Sequence, residues 1–153
     1  MDSLDSMLGW VGVSMSRPQQ QSPKKLIPAG KKHYFLVKVA MNIQYVAELV
    51  EGTIVCSGVG EPVEVSRAFS SDLMSDVLTV TEDHILLISG LATAQTVRTA
   101  VMSDISAVLL VRGKRATGEM IGLAEENGVA LIQTTYSMFR ASGVLYGAGL
   151  LPI

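Results

Sequence analysis

Three short apolar runs, His84–Ser89, Ala107–Val111 and Val129–Gln133, recur about 22 residues apart, with one-sided helical patterns between them. Runs this continuous suit strands buried on both faces, and a chain that returns to one sheet after each helix runs its strands parallel. The intervening segments fit that frame. Thr93–Ser103 places Val97, Ala100 and Val101 on one face, and Thr117–Asn127 does the same with Met120, Ile121 and Ala124. Asn127-Gly128 ends the second of these, and a last helix, Ser137–Tyr146, begins at a serine suited to capping. Upstream, Ile43, Val46, Ala47 and Val50 recur at helical spacing before Gly52. Thr53–Ser57 reads as a strand, Gly58–Pro62 as a hairpin turn, and Val63–Phe69 as a second strand. The expectation is an α/β fold, a small three-layer domain with a mostly parallel sheet of right-handed βαβ units.

The domain is expected to span residues 41–153, preceded by a flexible or artefactual extension over residues 1–40. The stretch Arg17–Lys25 has no apolar periodicity and holds two prolines, which reads as a linker. Met7–Val13 is apolar but short, follows acidic residues and lacks a signal-peptide layout, which leaves Trp10 as the centre of a docking peptide or of an extension without a role. One hypothesis is that translation naturally starts at Met41; an intact Met1 in N-terminal sequencing from the native host would refute it.

Charge divides at the same place. Residues 1–40 carry six Lys/Arg against two acidic residues, and the rest carries six against twelve, so the tail is +4 and the domain −6. An acidic domain is a poor partner for a nucleic-acid backbone, and none of the apolar runs approaches the roughly 20 residues that span a bilayer. Neither nucleic acid nor membrane is expected as a partner. A single cysteine, Cys56, excludes an internal disulfide and fits a reducing cytoplasm. With His33 and His84 as the only histidines, no closed zinc or iron–sulfur ligand set is available, and no metal or other cofactor is expected.

Catalytic motifs are missing. Gly113-Lys114 is followed by Arg115 where a phosphate loop needs Ser or Thr, and Val108 stands in place of its first glycine. Gly58-Val59-Gly60 has Val63 in place of the third glycine of a dinucleotide fingerprint. Cys56 with His84 reads as a core cysteine and a strand-edge histidine. The carboxylates Asp72 and Asp76 are read first as helix-capping and solvated groups, with acid–base work as the alternative. Open parallel sheets gather ligands beyond the C-terminal ends of their strands. That edge carries Ser89, Gly90 and Thr93, the cations Arg112, Lys114 and Arg115, and Thr134. With Ser71, Asp72, Ser75 and Asp76 these form the candidate ligand-binding set; no residue is assigned as catalytic.

The segment Ser71–Val77, together with Ala124–Val129 and Thr134–Phe139, resembles the stand-alone DRTGG-domain proteins, which are related to the N-terminal domain of HPr kinase/phosphorylase. The likeness runs from Met41 to Leu150. Such domains also accompany phosphotransacetylases and CBS-containing pyrophosphatases. The Asp-Arg of the signature falls at Ala92-Thr93, so no role of that pair is carried over. The resemblance implies a non-catalytic regulatory or interaction domain that self-associates, with a symmetric homodimer as its default. The alternatives are a sensor for a nucleotide or other small anion, a protein-partner module, and an enzyme using Asp72 and Asp76.

Overall fold

The computed structural model describes residues 40–153; the expected extension over residues 1–40 lies, but for Ala40, outside the described residues. Along the chain the elements are β1 (Met41–Asn42), α1 (Ile43–Leu49), β2 (Thr53–Ser57), β3 (Glu64–Val65), β4 (Arg67–Ser70), α2 (Met74–Val77), β5 (Ile85–Ser89), α3 (Ala94–Met102), β6 (Ala107–Leu110), α4 (Gly118–Asn127), β7 (Ala130–Gln133), α5 (Met138–Gly147) and β8 (Leu151–Pro152). The main sheet has the order β2-β7-β6-β5-β4-β8, and β1 pairs with β3 in a separate two-stranded ladder. Within the main sheet β8, β4, β5, β6 and β7 run parallel, and β2 is antiparallel to β7.

Alternation along the central strands divides the interior in two. Leu86, Ile88, Leu109 and Ile132 face α1 and α5, where Ile43, Val46, Ala141 and Leu145 complete one core. Ile85, Leu87, Val108, Leu110 and Leu131 face α2, α3 and α4, packing with Val77, Val97, Ala100, Met120 and Ala124. Each Val, Leu, Ile or Met side chain removed from water contributes about 1.5–3 kcal/mol, and each alanine methyl less. The helix starts are built locally: Asn42, Thr117 and Ser137 accept hydrogen bonds from the backbone N–H of Tyr45, Met120 and Arg140. Gly128, at φ 71°, ends α4 in the left-handed conformation that glycine adopts without strain.

Two expectations need correction. Gly58–Pro62 is not a hairpin turn, because β2 and the strands that follow it do not pair; β2 lies at one border of the sheet and β4 near the other. A place beside β7 lets β2 bury both faces, Ile54 joining the α1/α5 core and Cys56 the α3/α4 core. Nor is Val63–Phe69 one strand. It changes partner at buried Ser66: Val65 pairs with Met41, and from Arg67 the chain pairs with β5. The N–H groups of Ser66 and Arg67 both reach the His84 carbonyl, at 2.8 and 3.4 Å. The ladder between β2 and β7 carries one irregularity, an unpaired Val55 between Ile54 and Cys56. Among the described residues no helix is long and apolar enough to cross a membrane.

Candidate functional site

The C-terminal ends of β4, β5, β6 and β7 meet on one edge, as parallel pairing requires. Asp72, two residues past β4, extends its carboxylate over this edge. Its Oδ1 accepts from the Gly90 N–H at 2.6 Å and from the Ser89 hydroxyl at 3.0 Å. Its Oδ2 accepts from Nη2 of Arg112 at 2.6 Å. Three donors from two other strand ends thus converge on one carboxylate. Burial by itself would raise the pKa of Asp72, but the hydrogen bonds from Arg112, Gly90 and Ser89 outweigh it and hold the carboxyl below its usual range. Such a group stays ionised and is a poor proton donor near neutral pH.

Arg112 is positioned by its backbone. Its φ is 61°, left-handed, and Gly113 follows at 69°. This turn is fastened to the β7–α5 loop, with Arg112 N–H donating to the Tyr136 carbonyl at 2.7 Å and Gly113 N–H to the Thr134 carbonyl at 3.0 Å. The guanidinium then lies across Gly90, filling the space that a Cβ there would occupy. The absence of a side chain at residue 90 is therefore a condition for the Asp72–Arg112 pair.

The helix-capping reading of Asp72 is overturned by this geometry. The first turn of α2 has no side-chain cap at Leu73; the Leu73 N–H is taken instead by the Ser71 hydroxyl at 3.0 Å. Of the candidate set, the structure joins Asp72, Ser89, Gly90 and Arg112 by hydrogen bonds. Ser75 and Asp76 lie exposed on α2 and make no side-chain bond to that group. Thr134 is buried, donates to the Val50 carbonyl at 2.6 Å and accepts from the Tyr136 N–H at 3.1 Å, so its hydroxyl ties α1 to the β7 end instead of facing the rim. Thr93 flanks α3 with its hydroxyl 3.3 Å from that of Thr96. Because the Thr96 proton is directed to the Leu91 carbonyl, Thr93 is the donor between them. Lys114 and Arg115 are exposed on the same loop as Arg112 and form no ion pair among the described residues.

Some neighbours gave no signal in the sequence. Arg140 stacks 3.7 Å from the centre of the Tyr136 ring. Burial first, and the Glu51 carboxylate next, raise the Tyr136 phenol above its ordinary value, against the opposing pull of Arg140. Outside the Asp72–Arg112 group are two apolar grooves. One, of about 340 Å³, is lined by Val97, Val101, Met102 and Leu123 between α3 and α4; the other, of about 210 Å³, lies between α5 and the β4–β8 border. Among the described residues no three His, Cys, Asp or Glu gather as a metal-binding group.

No protein-family model matches the chain, and no curated protein matches it. Among solved structures it is similar to the CBS and DRTGG domains of the regulatory region of Clostridium perfringens pyrophosphatase, a structure complexed with the activator diadenosine tetraphosphate. Identity is 15 %, the TM-score is 0.59, and the match covers 72 % of this chain and 47 % of that one. At this identity the likeness is one of fold.

Proposed function

We propose that the chain is a non-catalytic regulatory domain of the DRTGG type, related to the N-terminal domain of HPr kinase/phosphorylase, that senses a small anion of the nucleotide class. The observation that carries the reading is the convergence of Ser89 O–H, Gly90 N–H and Arg112 on a single negatively charged group, beside the exposed cations Lys114 and Arg115. An edge built this way recognises negative charge. It offers no proton donor suited to acid catalysis, because Asp72 is held ionised. The structural neighbour, a regulatory region with a nucleotide activator, supports the same direction. A thermal-shift panel of nucleotides and inorganic phosphates on the full chain tests it. A genuine ligand at a hundredfold excess over its dissociation constant adds about 2.7 kcal/mol of stability; no shift across the panel rejects a sensor.

A second reading, self-association as a cytoplasmic homodimer, is favoured by Met102, which is 71 % exposed beside the apolar α3–α4 groove. Light scattering across a dilution series decides it, and a constant monomer mass at high concentration rejects it.

A further inference from the structure

We infer that Asp72 is the built-in occupant of an oxyanion site, and that a multiply charged anion of the phosphate class displaces it from Arg112 and so releases the turn that leads into α2. The inference rests on reading this strand edge as an anion site and adds how binding there would be transmitted.

The donors stand on fixed backbone, and the carboxylate does not. Ser89 and Gly90 are buried at the end of β5, and the Arg112 backbone is fastened to the β7–α5 loop by two hydrogen bonds. Asp72 instead rides on the link between β4 and a helix of four residues whose first turn has no side-chain cap and whose Leu73 is exposed. Beyond the Ser71 N–H, which donates to the Ile88 carbonyl at 3.1 Å, and the half-buried Met74 side chain packed on the α2–α4 core, the three hydrogen bonds to the Asp72 carboxylate tie this turn to the sheet edge. The far end of α2 is held separately, by buried Val77 and by the Ser103 hydroxyl on the Val77 carbonyl at 3.2 Å. Loss of the carboxylate bonds would therefore loosen residues 72–76 and leave Val77 seated.

Competition favours the incoming anion. Both side chains of the Asp72–Arg112 pair are open to water, at 41 % and 47 % exposure, and exposed pairs are weak. Only Nη2 of the guanidinium is engaged; Nη1 and Nε make no hydrogen bond among the described residues. A phosphate presents two oxygens to that fork and gains from Lys114 and Arg115 on the same loop, where the carboxylate presents one. Ser89 and Gly90, freed of Asp72, then donate to the same ligand.

The test is calorimetric titration of the full chain with inorganic pyrophosphate, with hydrogen exchange on the same samples. Asp72→Ala removes the competitor and is expected to tighten binding by about threefold to fivefold, the range an exposed pair allows, while Arg112→Ala abolishes it. In the unmutated chain, saturation is expected to speed exchange over residues 73–76 and keep Gly90 protected. Equal or weaker binding by Asp72→Ala, absence of binding in both, or unchanged exchange at residues 73–76 overturns the inference. Asp72→Asn, close in shape and uncharged, makes the same comparison should the alanine variant fail to fold. The two readings fail separately. A nucleotide that stabilises the unmutated chain but binds Asp72→Ala no better leaves the sensor standing and removes the displacement; tight pyrophosphate binding by Asp72→Ala without any nucleotide shift does the reverse.

Discussion

Arg112 reaches Asp72 only by lying across Gly90, so three residues that are 18 to 40 positions apart depend on one another. A methyl at residue 90 meets the tip of a flexible side chain and not fixed backbone. Gly90→Ala is therefore expected to cost about 1–2 kcal/mol, mostly by unseating the guanidinium. The same change made on Arg112→Ala should be nearly neutral. Urea denaturation of the four proteins of this double-mutant cycle measures the coupling; strict additivity would contradict the contact.

The left-handed backbone at Arg112 separates the side chain's contribution from the strain beneath it. Arg112→Ala loses the ion pair and keeps a side chain at positive φ, whereas Arg112→Gly loses the pair and relieves the strain. The glycine variant is expected to be more stable than the alanine variant by about 1 kcal/mol, the left-handed penalty less glycine's larger chain entropy.

Asp72 fixes the direction of one pH effect. Its carboxyl titrates lower in the folded chain than in the unfolded one, so its contribution is fully present above the ordinary carboxyl value of about 4 and is lost as pH falls through the lower folded value. Asp72→Asn should flatten the acid limb of the stability profile and leave its shape above about pH 6 unchanged. Because the pair is exposed, its contribution should stay under about 1 kcal/mol and shrink at high salt.

Thr134 supplies a contrast, since its hydroxyl serves a structural bond. Thr134→Val preserves volume but strands the buried Val50 carbonyl and the Tyr136 N–H. A loss of about 1–3 kcal/mol is expected, with pyrophosphate affinity unchanged once the protein is folded. A selective loss of affinity would return Thr134 to the site.

In the core, Leu87→Ala should cost about 2–5 kcal/mol, because Leu87 is fully buried between the sheet and the α2–α4 layer. Met102→Ala, on the surface, should stay within about 0.5 kcal/mol in the monomer. Chemical denaturation at low protein concentration compares them directly.

The second half of the fold was legible because its information is local. β5, β6 and β7 and helices α3, α4 and α5 lie within one residue, at either end, of the bounds their periodicity predicts. The first half was less so. The pattern at Thr53–Phe69 looks like a hairpin, but nothing nearby in sequence shows that β2 goes beside β7 and β4 beside β5, a choice made by burial on both faces. β8 is too short to leave a pattern. At the site, the strand-end residues could be named from topology, yet the role of Asp72 could not. Ser and Asp before a short helix suggest capping, and the partners that claim Asp72 instead are distant in the chain.

The unpaired Val55 bears on how the protein behaves in a crowd. β2 borders the main sheet and carries Thr53, Ile54, Val55, Cys56 and Ser57, with neither charge nor proline to repel a neighbouring chain. A straight ribbon of that composition is an invitation to fibre growth. The single extra residue interrupts the regular spacing that a second molecule would have to match, so an irregularity of one position guards the border where composition does not.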